Sequence, residues 1–288
     1  MSARLRLYDR VAEDAASIVI RSYSTSFSAA SRLLGTDVRQ HVENIYALVR
    51  VADEIVDGGA EEAGLDLVET ARQLNELERE TEDAIRSGFS ANLIVHAFAL
   101  TAREVSFGAE LTSPFFESMR MDLSQKEHDQ ASFESYVYGS AEVVGLMCLR
   151  AFLHGHIVSD TQRTKLEQGA RALGAAFQKV NFLRDLADDF ETLGRSYFPG
   201  IDVATFTEAE KVRLLDDLDA DLRDAAIGSE LPPSSKKAVA LAHSLFAQLS
   251  KRIRATPASE LVHTRVRVPD AVKLRLAVAA AMGVSPQA

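Results

Sequence analysis

Five polar residues recur at helical spacing between Glu43 and Asp57. Glu43, Tyr46, Arg50, Asp53 and Asp57 fall at i, i+3, i+7, i+10 and i+14, a single stripe of a helix. Ile45, Leu48, Val49, Ala52, Ile55 and Val56 make the rest of that helix apolar over most of its circumference. Such a helix belongs in an interior, where unpaired charge is very costly. Two carboxylates one turn apart in that setting want a partner, and a hydrated divalent cation answers the need. Taken alone, Asp-x-x-x-Asp is more often a solvated face, here with an Arg50–Asp53 ion pair.

A second stretch shifts that balance. From Gln178 to Asp189 the chain reads Q-K-V-N-F-L-R-D-L-A-D-D, and Gly174, Gln178, Asn181, Asp185 and Asp189 share one helical stripe. Phe177, Val180, Phe182, Leu183, Leu186 and Phe190 supply apolar flanks, and Arg184 sits beside the stripe. Two interior-type helices thus each carry an Asp-x-x-x-Asp with an arginine close by. Facing one another, they would hold four carboxylates around a cavity, a cluster that is untenable unless cations fill it. Mg²⁺, with Mn²⁺ as the alternative, suits such a place. It takes a few carboxylates, keeps some waters and completes its shell with phosphate oxygens.

These motifs, with Y-S-T-S-F (Tyr23 to Phe27), Y-A-L-V-R-V-A-D-E-I-V-D (Tyr46 to Asp57) and Y-V-Y-G-S-A-E-V-V-G (Tyr136 to Gly145), resemble the ordered signatures of the squalene/phytoene synthases. The likeness runs from about Ser22 to the Arg265–Lys273 region. M-R-M-D (Met119 to Asp122) and G-S-A-E-V-V-G-L-M are most similar to the bacterial phytoene synthases within that family. The resemblance implies an all-α isoprenoid synthase fold, its helices surrounding an apolar cavity with two facing Asp-rich motifs. It implies metal ligation by Asp53, Asp57, Asn181, Asp185 and Asp189. It also implies diphosphate contacts from Ser24, Ser26, Arg50, Gln178, Asn181, Arg184 and Arg265, with Arg195 and Tyr197 in a loop beside the site. Hydroxyl clusters such as Ser24–Ser26 otherwise cap helices or fill turns.

The chemistry implied is head-to-head condensation. An allylic diphosphate leaves as an anion while a carbocation forms, so the leaving group needs positive charge near it and the cation needs a dry wall. Two geranylgeranyl diphosphates would pass through the cyclopropyl intermediate prephytoene diphosphate to phytoene, without NADPH. Tyr46 or the released diphosphate would accept the proton. The alternative within the family uses two farnesyl diphosphates and gives squalene or dehydrosqualene. From other classes, a helical protein that only binds divalent cations would leave Gln178, Asn181 and the arginines idle. A terpene cyclase would ordinarily carry Asp-Asp-x-x-Asp, but Glu54 follows Asp53.

The elements that must position these groups read as helices along almost the whole chain, about ten or more in one domain spanning residues 1–288. Asp9–Ile20 is expected to turn Val11, Ala12, Ala15, Ile18 and Val19 inward, and residues 66–86 to form an outer helix burying Leu67, Leu74, Leu77 and Ile85. Pro114 is expected to open a helix. Gly139, Ser140, Ala141 and Gly145 interrupt a bulky run, either for close helix packing or to leave a groove for a long hydrocarbon. Glu142 in that run needs a polar neighbour, and His96 reads as a satisfied packing residue.

Composition narrows the rest. The 288 residues are 47% hydrophobic with a net charge of −10, enough apolar matter for a large core and unfavourable for a nucleic-acid partner. Cys148 lies in an apolar run and reads as a small buried hydrophobe, which fits a reducing cytoplasm. The first ten residues lack a secretory pattern, and no run of 18 uncharged apolar residues marks a membrane span. Peripheral contact with the inner face of a membrane suits an oily substrate and product, although no strongly basic amphipathic helix is evident.

Overall fold

The computed structural model describes residues 2–188, 196–225 and 230–282, apart from the side chains of Thr25, Ser26 and Asp188. Among them the chain forms α1 (Ala3–Tyr23), α2 (Thr25–Ser31), α3 (Thr36–Val56), α4 (Gly59–Glu62), α5 (Leu67–Ser87), α6 (Leu93–Val105), α7 (Ala109–Ser124) and α8 (Gln130–Val137). A π-helical turn, Tyr138–Glu142, joins α8 to α9 (Val143–Leu153). There follow α10 (Asp160–Arg184), α11 (Leu186–Asp188), α12 (Glu208–Asp224), α13 (Pro233–Ala255), α14 (Ala258–Leu261) and α15 (Asp270–Ala281). No strand occurs among the described residues, so the fold is all-α.

Local signals set many of the ends. Asp66 accepts the Glu69 N–H at 2.8 Å to start α5, and Ser159 and Thr207 form capping boxes at α10 and α12. Beyond Val56, Gly58 takes φ +104°, a left-handed conformation that ends α3 just after its second aspartate. Pro114 does not open α7, which begins five residues earlier behind Gly108; the proline sits inside the helix. The second aspartate helix also stops sooner than its stripe suggests. α10 ends at Arg184, and Asp185 caps it at φ −100°, ψ 10°, with its N–H on the Asn181 carbonyl at 2.9 Å.

Two large apolar clusters make up the core. One joins α3, α5, α6, α7 and α9 through residues such as Leu48, Leu74, Phe98, Phe115 and Met147. The other joins α8, α10, α12 and α13 through Phe133, Val180, Phe182, Leu215 and Leu249. α1 lies against α3 and α6 through Ala12 and Ala16, which touch Ala47 and Ala97. That close approach of small residues turns Val11 and Ile18 out to solvent, contrary to the inward placement expected for them. Leu67 is likewise 61% exposed, because the buried face of α5 begins only at Thr70.

The α8–α9 segment is central. Gln130–Leu153 is 24 residues long and apolar enough by length and composition to cross a membrane, a property that the sequence reading did not assign. Here it is packed by α7 and α10. A Cβ on Gly145 would lie 2.5 Å from the Ala170 carbonyl oxygen, and one on Gly174 2.5 Å from that of Ala141. The two glycines therefore serve the close approach of α10 to α9 and to the π-helical turn before it. Glu142 finds its polar neighbour in Arg171, whose Nε lies 2.6 Å from the carboxylate.

Candidate active site

A cavity of about 1030 Å³ is lined by members of both core clusters. Its charged end gathers Tyr46, Arg50, Asp53 and Asp57 from α3, Gln178, Asn181, Arg184 and Asp185 from α10 and its cap, and Arg265 from the loop before α15. The remaining member of the first stripe, Glu43, is elsewhere, accepting a hydrogen bond from Ser17 on α1 at 2.5 Å. Ser26, Asp189 and Arg195 carry expectations that lie outside the described residues or side chains.

Asp53 stands half-buried at the end of α3, and Asp57 is exposed at the helix cap. Burial pushes the Asp53 carboxyl up to about 8; Asp57 adds to the push, Arg50 opposes it, and Asp122 of α7 raises it further. Asp122 is a site residue whose role the sequence reading did not assign. The Tyr136 hydroxyl donates to its two oxygens at 3.0 and 2.8 Å, and the Tyr197 hydroxyl to one of them at 3.2 Å. Burial lifts the Tyr136 phenol well above its ordinary value and keeps it a donor. Tyr197 is pinned through the next residue back, since the Ser196 N–H reaches the Lys126 carbonyl at 2.8 Å. His128 packs behind both tyrosines at ring distances of 5.2 and 5.9 Å. The available signal was an acid within the apolar helix that buries Phe115, Phe116 and Met119.

Arg50 does not pair with Asp53. Its guanidinium reaches Glu54 one turn on and covers the Tyr23 ring at 4.6 Å, while its buried Nε has no hydrogen-bond partner. Arg184 by contrast folds back onto Asp185, Nε to Oδ1 at 2.8 Å, and Arg265 Nε reaches the same oxygen at 2.8 Å. Ser24 caps α2 by accepting the Phe27 N–H at 3.1 Å, and it also lines the cavity. A hydrogen bond joins it to Tyr46, whose phenol burial raises above its usual value with Arg50 opposing.

The donor chemistry at this end fits a hard divalent cation. Asp53, Asp57, Asp122 and Asp185 offer carboxylate oxygens to one space, and the elevated Asp53 marks negative charge that a cation would relieve. Among the described residues no three His, Cys, Asp or Glu side chains already converge at metal-binding distance, and Asp185 is drawn to its arginines.

Away from the charges the walls are apolar, with Val144, Gly145, Cys148, Ala170, Leu173 and Phe177 among them. Burial pushes the Cys148 thiol up to about 12, so it remains a neutral wall residue. His96 lies outside the cavity as a satisfied packing group, with Nε2 3.0 Å from Asp9 and Nδ1 accepting the Ser90 N–H at 3.3 Å.

Known proteins resemble this chain in sequence and in fold. The chain is 27% identical over 268 residues to a 15-cis-phytoene synthase of Paracoccus sp. (strain N81106 / MBIC 01143), covering 88% of this chain and 85% of that one. It is 27% identical over 269 residues to the phytoene synthase of Pseudescherichia vulneris, covering 85% and 84%. A dehydrosqualene synthase crystal structure in complex with ligand superposes with a TM-score of 0.78 at 19% identity over 96% of this chain and 97% of that one, a likeness of fold. The squalene/phytoene synthase profile matches residues 20–271, and with that match the chain belongs to the squalene/phytoene synthase family.

Proposed function

We propose that the protein is a 15-cis-phytoene synthase, which joins two geranylgeranyl diphosphates head to head through prephytoene diphosphate in a Mg²⁺-dependent reaction of carotenoid biosynthesis that needs no NADPH. The observation that carries this reading is one cavity with carboxylates and guanidiniums at one end and hydrocarbon walls along the rest. The phytoene synthase relatives support the choice of substrate.

In this reading Arg50, Arg184 and Arg265 receive the diphosphate, with Ser24, Ser26, Gln178 and Asn181 as polar contacts. Mg²⁺ (or Mn²⁺) held by Asp53, Asp57, Asn181, Asp185 and Asp189 supplies Lewis-acid stabilisation of the leaving diphosphate. The buried Nε of Arg50 has no hydrogen-bond partner, and a diphosphate oxygen would satisfy it. Arg184 and Arg265 exchange Asp185 for phosphate oxygens as substrate enters. Cleavage of the first C–O bond leaves an allylic cation, which the apolar walls keep from water. The second molecule's double bond attacks it, and proton loss closes the cyclopropane. The second C–O bond then breaks, the skeleton rearranges, and a further proton loss gives the triene. Tyr46 takes one of those protons or orients the released diphosphate that does. The half-buried neutral thiol fits a cytoplasmic setting, and the oily product fits contact with the inner face of the membrane.

The test is incubation with Mg²⁺ and either the C15 or the C20 diphosphate, without NADPH, and identification of the hydrocarbon. Phytoene from the C20 substrate is expected. Dehydrosqualene alone would move the assignment to farnesyl diphosphate, a cyclic monomeric product would make it a cyclase, and no turnover would leave a cation-binding protein.

A further inference from the structure

The α9–α10 hairpin runs the length of the cavity. At the charged end stand Tyr136, just before the π turn, and Asn181 on α10; at the other, α9 ends at Leu153 and α10 begins at Asp160. Between Asn181 and Leu166 the helix rises about 22 Å at about 1.5 Å per residue. Over that distance the two helices are packed together through Gly145 and Gly174 and form one wall of the cavity. Val144, Leu173 and Phe177 on that wall are apolar, and Ser140, Ala141, Cys148 and Ala170 keep the rest of it small.

The far end of the hairpin, away from the carboxylates, adds three further apolar side chains to the wall. Leu149, Phe152 and Leu166 line the cavity there and pack with Leu153 and Leu231 in an apolar cluster separate from the two main ones. Leu149 and Leu166 are 3% and 1% exposed and belong to the packed floor, while Phe152 is only partly buried although it touches that cluster. Phe152 is thus the aromatic side chain at that end which keeps exposed surface while the leucines around it are buried. It lies two turns beyond Gly145, and an isoprene unit is close to one turn of helix in length, about 5.4 Å.

We propose that Phe152, backed by Leu166, sets the longest isoprenoid tail that the cavity takes, an inference that rests on the prenyl-diphosphate reading above. Phe152→Ala removes a phenyl ring, more carbon than one isoprene unit adds, at the point where the end of the tail arrives. Phe152→Trp advances the floor instead. Both changes lie at the far end from the carboxylates, so they alter which tail fits rather than the bond-breaking steps.

The experiment measures binding of the non-reactive thiolo-diphosphates of C15, C20 and C25 tails in Mg²⁺ by calorimetry, beside the products formed from the corresponding diphosphates. For the wild type, affinity is expected to hold through C20 and to drop about tenfold or more at C25. Phe152→Ala and the milder Phe152→Leu should remove that drop, and Phe152→Trp should move it to between C15 and C20, with helicity by circular dichroism unchanged. The same tail-length profile in the wild type, Phe152→Leu and Phe152→Trp would overturn the assignment. Shifted binding profiles without hydrocarbon product would leave the floor role standing and sink the synthase reading. Failure of every tail to bind would remove both.

Discussion

Asp53 and Asp185, the leading acids of two motifs with the same spacing, line the same cavity, but their surroundings are electrically opposite. Asp185 is clasped by Arg184 and Arg265. Asp53 shares its space with Asp57 and Asp122, and its nearest arginine has turned to Glu54. The difference comes from backbone position. Arg50 lies within an unbroken helix, where the residue one turn ahead, Glu54, meets it. Arg184 is the last residue of α10, and the break at Asp185 lets it fold back on its neighbour. Spacing therefore brings a carboxylate to a cavity, while the flanking turns decide whether it arrives neutralised. One motif holds negative charge that a proton or a cation must relieve; the other holds guanidiniums that an arriving diphosphate would take over.

The largest effects should come from cutting either motif. Asp53→Asn and Asp185→Asn are each expected to lower kcat/KM by about 10²–10³-fold, measured as hydrocarbon formed from the C20 diphosphate, with circular dichroism unchanged. EDTA should arrest the wild-type enzyme and added Mg²⁺ restore it. Near-normal turnover in both variants would break the idea that the motifs serve one reaction.

Stability sharpens the contrast, because the same substitution should act with opposite sign at the two positions. Asp53→Asn removes a carboxyl that burial and two neighbouring acids disfavour, so the metal-free protein should melt slightly higher. Asp185→Asn removes the carboxylate charge that Arg184 and Arg265 share. That loss is about 1 kcal/mol, since Arg265 is 42% exposed and solvent screens it, and should lower the Tm by about 2–4 °C. Thermal melts in EDTA decide this. Shifts of the same sign would mean that the two sites are electrically alike after all.

The pH dependence follows from the same asymmetry. Asp53 keeps its proton in the folded chain up to about 8, whereas in the unfolded chain it releases it near 4. Between those values the folded state holds the extra proton, so the stability of the metal-free protein should fall as pH rises from about 4 to about 8 and then level off. Mg²⁺ must displace that proton, so it should raise the Tm more at pH 8.5 than at pH 6. Asp53→Asn should flatten both trends. Melts across pH with EDTA or MgCl₂ would show it.

Periodicity made the elements legible. The polar stripe of α3, its end at Gly58, the satisfied His96 and the small residues between α9 and α10 all follow from spacing and residue size. Spacing does not carry a choice that depends on another element. Val11 and Ile18 look inward on any helical wheel, yet the close contact of Ala12 and Ala16 with neighbouring helices turns them out. Asp122 is placed in the site by contacts that no helical spacing announces, from Tyr136 across the α7–α8 turn and from the remote Tyr197. The clasp on Asp185 needs Arg265, eighty positions away, and nothing local announces it.

Glu54 tests the comparison most finely. Replacing it with Gln removes the acid that draws Arg50 forward and leaves that guanidinium free to swing toward Asp53 on the same face. The Asp53 carboxyl should then ionise at lower pH, and the fall of metal-free stability between pH 4 and pH 8 should become shallower. The pair is partly solvated, with the side chains 29% and 38% exposed, so the change in Tm should be small and the effect on kcat/KM below about tenfold. A slope equal to that of the wild type would mean that burial, rather than the loss of Arg50 to Glu54, governs Asp53. The two motifs would then differ in depth and not in how their arginines are shared.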